Sequence, residues 1–147
     1  MDLRSLTLEF LPTIVEMDKR ITGSDHSAFF EKYMQELFDL GKINLLIGAF
    51  GKDEVLQGFL LAEQKTLAFG KNEELAYLEL IEVDPQFQKH GIGTFLVNEF
   101  QKRLRELKIQ KVITFVDWKE IDLLNFFKSQ GFQMGGMINL ERAYSGI

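Results

Sequence analysis

Cysteine is absent from the 147 residues. That excludes disulfides, thiolate metal ligands and a cysteine nucleophile, and it fits a reducing, cytoplasmic setting. Only 2 prolines occur, so no Pro-rich linker divides the chain. The two histidines, His26 and His90, have no metal-ligand spacing, and no metal is expected. Positive charge is in deficit: 17 Lys and Arg stand against 22 Asp and Glu, a net charge of −5. A nucleic-acid partner held by a broad positive field is therefore not expected. No apolar run approaches the roughly 18 residues of a membrane span, so no membrane partner is expected either. The opening MDLRSLTLEF lacks a basic stretch followed by an apolar one, which predicts no secretory leader.

What is present suits one folded domain over residues 1–147. Apolar residues make up 46%, and 14 are Phe, most of which should be core. A chain this long buries about two-thirds of its unfolded surface without covalent staples. Asp2–Leu6 reads as a short strand. Leu8–Met17 has helical spacing, with Pro12 in the first turn. After a polar loop, Ser27 can cap a helix over Ala28–Leu40 that Gly41 stops. The period then changes to strands at Leu45–Phe50, Val55–Ala62 and Leu75–Val83. A Gly-containing loop leads into a helix ending near Leu107. A strand over Lys111–Val116, a helix over Ile121–Ser129, and a closing hairpin of Phe132–Met134 and Ile138–Ala143 around Gly135-Gly136 complete the chain. The expected fold class is α/β: a mixed, mostly antiparallel sheet flanked by helices.

The segment from Val83-Asp84-Pro85 through Gln88-Lys89-His90-Gly91-Ile92-Gly93-Thr94 carries the most chemistry. A strand ends, a two-glycine loop follows, and a helix begins. The first N–H groups of that helix, together with its dipole, make an anion site. Gly91 and Gly93 let the backbone approach a phosphate, Lys89 adds charge and Thr94 a hydroxyl. A P-loop is rejected because no Lys stands between Gly93 and Thr94. A dinucleotide fingerprint would need a third glycine where Leu96 stands. Asp117, at the end of the next strand, keeps that alternative open. A plain tight turn before a helix also fits the two glycines alone.

Taken with its flanks, Gln88-x-x-Gly91-x-Gly93 resembles the pyrophosphate loop of the Gcn5-related N-acetyltransferases. Residues 4–17 are similar to that family's first strand and helix, Val55–Phe59 to its third strand, and Phe126-Phe127-Lys128-Ser129-Gln130-Gly131-Phe132 to its late helix and Gly-Phe turn. The resemblance covers nearly the whole chain. It implies acetyl-CoA as cosubstrate, with Ile81, Glu82 and Val83 along the pantetheine arm. Gln88, Lys89, His90, Gly91, Ile92, Gly93 and Thr94 would hold the diphosphate, His90 through its backbone. An opened strand has unpaired N–H and C=O groups that an amide-rich arm can satisfy.

The implied reaction is direct attack of an amine on the thioester in a ternary complex. A base must take the amine's proton, and a backbone N–H of the opened strand would stabilise the oxyanion. Glu79, Glu82 and Asp117 are the candidate bases. Strict alternation puts Glu79 and Glu82 on opposite faces of their strand unless a bulge intervenes, as it often does in this family. Glu79 matches a carboxylate common among members, and burial would raise its pKa. A surface salt bridge for Glu79 and a turn role for Asp117 are the plainer alternatives. The resemblance also implies that Phe126 and Phe127 lie on the cofactor side of the late helix. Many members carry Tyr at the position of Phe127 to protonate the leaving thiolate, and neither Phe can donate. Tyr77, Tyr33, Tyr144 or water would have to substitute, unless the thiolate leaves unassisted.

Trp118 can wall a pocket or pack under a loop. Asp25, Glu31, Glu36 and Asp39 suit a cationic acceptor or a solvated helix face alike. The leading expectation is an acetyl-CoA-dependent N-acetyltransferase acting on a small-molecule or protein amine. A non-catalytic acyl-CoA-binding module is the alternative, and a nucleotide-binding oxidoreductase fragment ranks third. Relatives often dimerise through late strands, so a homodimer is also open.

Overall fold

A computed structural model describes residues 1–66 and 74–146. The chain forms two compact units, Met1–Phe115 and Val116–Ile147. The first holds a five-stranded sheet: β1 (Asp2–Ser5), β2 (Leu46–Phe50), β3 (Leu56–Thr66), β4 (Glu74–Val83) and β5 (Val112–Ile113). The strands lie in that order, antiparallel except for the parallel β4–β5 pair. The expected mixed, mostly antiparallel α/β architecture is what forms.

Helices α1 (Leu11–Thr22) and α2 (Ser27–Asp39) cover one face, and α3 (Ile92–Glu106) covers the other. The first face buries Leu46, Phe50, Phe59 and Leu61 against Ile14 and Met17 of α1 and Phe30, Met34 and Leu37 of α2. These residues recur at helical spacing on α1 and α2, which is why the two helices lie flat on the sheet. On the opposite face Gly58 admits α3: a Cβ there would lie 3.1 Å from Ile92 Cγ2 and 2.9 Å from the Glu82 carbonyl oxygen. Removing about 25 cal/mol per Å² of apolar surface from water on both faces holds these layers together.

Several boundaries differ from the sequence expectation. The first helix is preceded by a 3-10 turn at Leu8–Phe10 and runs on to Thr22. It ends where Gly23 turns left-handed and its N–H bonds to Lys19 O at 2.8 Å. Ser27 is not the cap of α2 but its first residue. Asp25 Oδ1 accepts the Ser27 N–H at 2.9 Å instead, which also pulls the Asp25 carboxyl below its ordinary pKa. The last strand of the sheet is only two residues long, because β5 diverges from β4 beyond Ile113. In the second unit α4 (Ile121–Ser129) forms at the expected residues.

The closing hairpin does not form: no strand occurs over 132–146 among the described residues. Gly135 and Gly136 are not among the positive-φ glycines, so the primed turn that would fold the segment back is missing. An isolated pair of such segments is marginal in water.

Candidate active site

The two-glycine loop opens from a well-anchored corner. Asp84 is 4% exposed and caps the 3-10 turn Pro85–Phe87 by accepting the Gln86 N–H at 3.0 Å. Its other oxygen accepts from Arg20 of α1 at 2.5 Å. Gln88 to Gly91 are exposed. Lys89 (φ 67°) and Gly91 (φ 78°) are both left-handed, which curls the loop into a concavity. Gly91 is the N-cap of α3 and supplies no capping side chain. The first ladder bond of α3 is Phe95 N–H to Gly91 O, 3.0 Å. The N–H groups of Ile92 and Gly93 precede it and lie at the positive end of the helix dipole. His90 Nδ1 lies 3.1 Å from Phe87 O, a contact that ties its ring to the loop backbone and suits its expected backbone role. Thr94 stands exposed in the first turn of α3.

Next to this loop, β4 has an open edge. It pairs with β5 only at Ala76 and Tyr77. One step further, Thr114 Oγ1 donates to Leu78 O at 2.8 Å in place of a backbone bond. Asp84 N–H donates to Gln57 O of β3 at 2.8 Å. Antiparallel alternation therefore aims the backbone of Glu82 at β3, and that of Ile81 and Val83 away from it. Gln88 Nε2 covers the Val83 carbonyl at 3.3 Å. The Ile81 backbone groups and the Val83 N–H have no β-ladder partner among the described residues. This edge is the kind of surface that an extended amide chain can extend as a pseudo-strand.

The side chains of β4 are redistributed by a bulge. Leu61 pairs with Leu80 and Ala62 with Leu78, so Glu79 is the extra residue. A bulge reverses the alternation. Tyr77 and Glu79 before it, and Leu80 and Glu82 after it, share the face covered by α1 and α2. The two carboxylates that alternation alone would separate thus lie on one side. Glu79 is half-buried. Burial first, then the nearby Glu63, raise its pKa, while Lys65 and a hydrogen bond from Tyr77 act against the rise. Tyr33 of α2 is within electrostatic reach of Glu63, Glu79 and Tyr77. Burial drives its hydroxyl pKa upward, and that oxygen has no hydrogen-bond partner among the described residues. Tyr77 is raised for the same first reason. Both phenols therefore hold their protons more tightly than usual. The Phe115 ring lies 5.7 Å from the Tyr77 ring.

Glu82 has a different environment. It is 8% exposed and contacts the Asp18 carboxyl of α1, itself 3% exposed. Burial and Asp18 together raise its pKa far above the ordinary carboxylate range.

The remaining expected residues belong to the second unit. Asp117 closes a turn: its side chain accepts the Lys119 N–H at 2.8 Å and its carbonyl the Glu120 N–H at 2.9 Å. Phe127 is buried, its ring 4.9 Å from Phe132 and 5.6 Å from Phe126. Trp118 is 75% exposed. In the first unit Asp25, Glu31, Glu36 and Asp39 are all exposed.

The sequence model of the acetyltransferase (GNAT) family matches residues 12–132. The chain belongs to the GNAT family. Its fold also matches solved structures. One is an apo aminoglycoside 6'-N-acetyltransferase from Acinetobacter haemolyticus, at 16% identity and TM-score 0.78, covering 99% of this chain and 100% of that one. A second is an aminoglycoside N-acetyltransferase in complex with CoA, at 16% identity and TM-score 0.78, covering 97% and 93%. A third is a transcriptional regulator from Bacillus halodurans, at 20% identity and TM-score 0.75, covering 97% and 99%. No curated protein sequence matches significantly.

Within this GNAT domain, sequence reasoning overlooked Asp18, Arg20 and Glu63. Asp18 lies on the apolar side of α1, where an acid has no business unless it has partners across the fold. That misplaced carboxylate was the available signal. Glu63 and the Arg20–Asp84 pair depend on strand register and helix packing, which carry no local pattern.

Proposed function

We propose that this chain is an N-acetyltransferase that moves the acetyl group of acetyl-CoA to an amine by direct attack. The observation that carries the proposal is the open edge of β4 at Ile81 and Val83 beside the curled Gln88–Thr94 loop. The cosubstrate brings an acetyl group already activated as a thioester. The chain's own residues do the rest. The Ile81 to Val83 backbone pairs with the amide-bearing arm, and the loop N–H groups, with Lys89, receive the diphosphate. A β4 N–H at this edge is placed to stabilise developing negative charge on the carbonyl oxygen.

Glu79 is the base in this proposal. It shares its face with Tyr77, Tyr33 and Glu63, whose combined character suits a cationic amine. An ammonium has no lone pair until it gives up a proton, and a carboxylate with a raised pKa accepts that proton more readily. No acid is needed at Phe127: a thiolate whose conjugate acid has a pKa near 8.5 is an adequate leaving group. Asp117 remains a turn residue.

The experiment has two arms. Calorimetry with acetyl-CoA reads binding, and thiol release across a panel of small amines, amino acids, aminoglycosides and peptide amines reads turnover. Binding with amine-dependent thiol release is the expected result. Absence of binding at millimolar acetyl-CoA refutes the proposal. Tight binding without turnover on any amine would favour an acyl-CoA-binding module, the reading that Phe127 supports by offering no proton.

A further inference from the structure

Among the described residues, Glu82 is one of three buried polar or charged residues of the core, with Asp18 and Asp84. Asp84 is accounted for by Arg20 and Gln86. Asp18 and Glu82 face each other, and neither is bonded to a Lys or Arg among the described residues. We propose that Glu82, Asp18 and His26 form a proton-sharing clasp that fixes the end of α1 and the α1–α2 loop to β4, making Glu82 a positioning residue of the transfer site and not its base. The proposal rests on the acetyltransferase reading above.

Two ionised carboxylates cannot stay in contact out of water. One proton must lie between them. His26 Nδ1 is 2.5 Å from Asp18 Oδ2, and in the clasp its ring N–H donates to that oxygen. With His26 donating on one side and Glu82 O–H on the other, Asp18 carries the single negative charge and Glu82 is neutral. The unpartnered atom agrees with this assignment. Among the described residues no N–H or hydroxyl donates to the buried Glu82 Oε1, which a neutral acid tolerates and a carboxylate does not. The raised pKa of Glu82 has the same origin.

Among the described residues, the charged groups beside the pair are few. From α1 come Asp18 and, two residues on, Arg20, which is spent on Asp84. From the α1–α2 loop comes His26, half-exposed. Across the strand, β3 presents Phe59, and α2 presents Phe30. The placement matters because Ile81 and Val83, on either side of Glu82, are the residues whose backbones face the open edge. A side chain pinned at Glu82 sets the direction in which both neighbours point.

Two variants and two readouts test the clasp. Glu82→Gln keeps the shape and, through its amide, the donation to Asp18, but cannot titrate. Glu82→Leu removes the donor. In the wild type the folded state holds a proton that the unfolded chain has lost. Stability is therefore complete below the ordinary Glu pKa and falls as pH rises through the raised one, by at most about tenfold in the folding constant per pH unit. The expected result is a falling unfolding midpoint from about pH 5 to about pH 9 in the wild type and a flatter profile in Glu82→Gln. Glu82→Leu should raise KM for acetyl-CoA at least tenfold, with Glu82→Gln recovering most of it and losing less than tenfold in kcat.

Superimposable stability profiles for wild type and Glu82→Gln would overturn the clasp. So would a kcat loss of about 10²-fold or more in Glu82→Gln with acetyl-CoA binding intact, since that is the signature of a lost base. If the wild type binds no acetyl-CoA, the acetyltransferase reading fails, while the stability profiles still decide the clasp.

Discussion

Gly58 is the tightest point at which three elements of the site meet, and Gly58→Ala tests whether that closeness is needed. A methyl built there lies 2.9 Å from the Glu82 carbonyl oxygen, 3.1 Å from Ile92 Cγ2 and 3.4 Å from Leu96 Cδ1. The first neighbour is backbone and cannot rotate away. Ordinary contact begins near 3.4 Å, so β4 must retreat from β3 by about half an ångström or α3 must lift. Overpacking of this kind costs about 1–3 kcal/mol. In a domain of this length, that lowers Tm by roughly 3–10 °C. The strain falls on the carbonyl of Glu82 and on the first residue of α3, so acetyl-CoA affinity should fall together with stability. Denaturant unfolding at constant m and calorimetric titration read the two effects. Gly91→Ala is the control. It meets only Phe95 Cε2 at 3.8 Å, but must hold φ at 78°, a strain of about 1 kcal/mol placed in the loop alone. A Gly58→Ala protein within about 0.5 kcal/mol of wild type, at unchanged m, would refute the packing argument.

Three further outcomes are expected. Glu79→Gln should lower kcat by about 10²–10⁴-fold with acetyl-CoA affinity retained. Because Glu79 must be ionised to accept a proton and its pKa is raised, the wild-type rate should climb with pH through a limb above the ordinary Glu range, and the variant should lack that limb. Arg20→Ala strips the buried Asp84 of its cation, leaving the Gln86 N–H, and should cost about 1–3 kcal/mol in denaturant unfolding while weakening acetyl-CoA binding, because Asp84 caps the turn into the loop. Tyr33→Phe deletes a hydroxyl that has no hydrogen-bond partner among the described residues. It should leave stability unchanged or raise it by up to about 1 kcal/mol, and a larger loss on unfolding would reveal a bond to that oxygen.

The parts legible in the sequence share one property, that their physics is local. The helix over 121–129 is legible because its apolar spacing is complete within nine residues. The two-glycine loop is legible because a strand end, two glycines and a helix start are consecutive. The expected cap at Ser27 failed because the helix begins one residue earlier than expected, so that Ser27 lies in its first turn and its own N–H is taken by Asp25. The expected closing hairpin failed because alternation marks a strand only where another strand is there to pair with it.

By itself, the sequence determined the family, the order of most elements and the two-glycine turn into α3, since those depend on short-range spacing and on which residues tolerate a left-handed turn. Only the tertiary structure decided that Glu79 is the bulged residue, and hence that Glu79 and Glu82 share a face. It also decided that Glu82 meets Asp18, 64 residues away in sequence, and is buried there, whereas Glu79 stays half-buried. Strand register and the burial of one helix against another set these differences, and a carboxyl's chemistry follows from how much water and how many charges surround it.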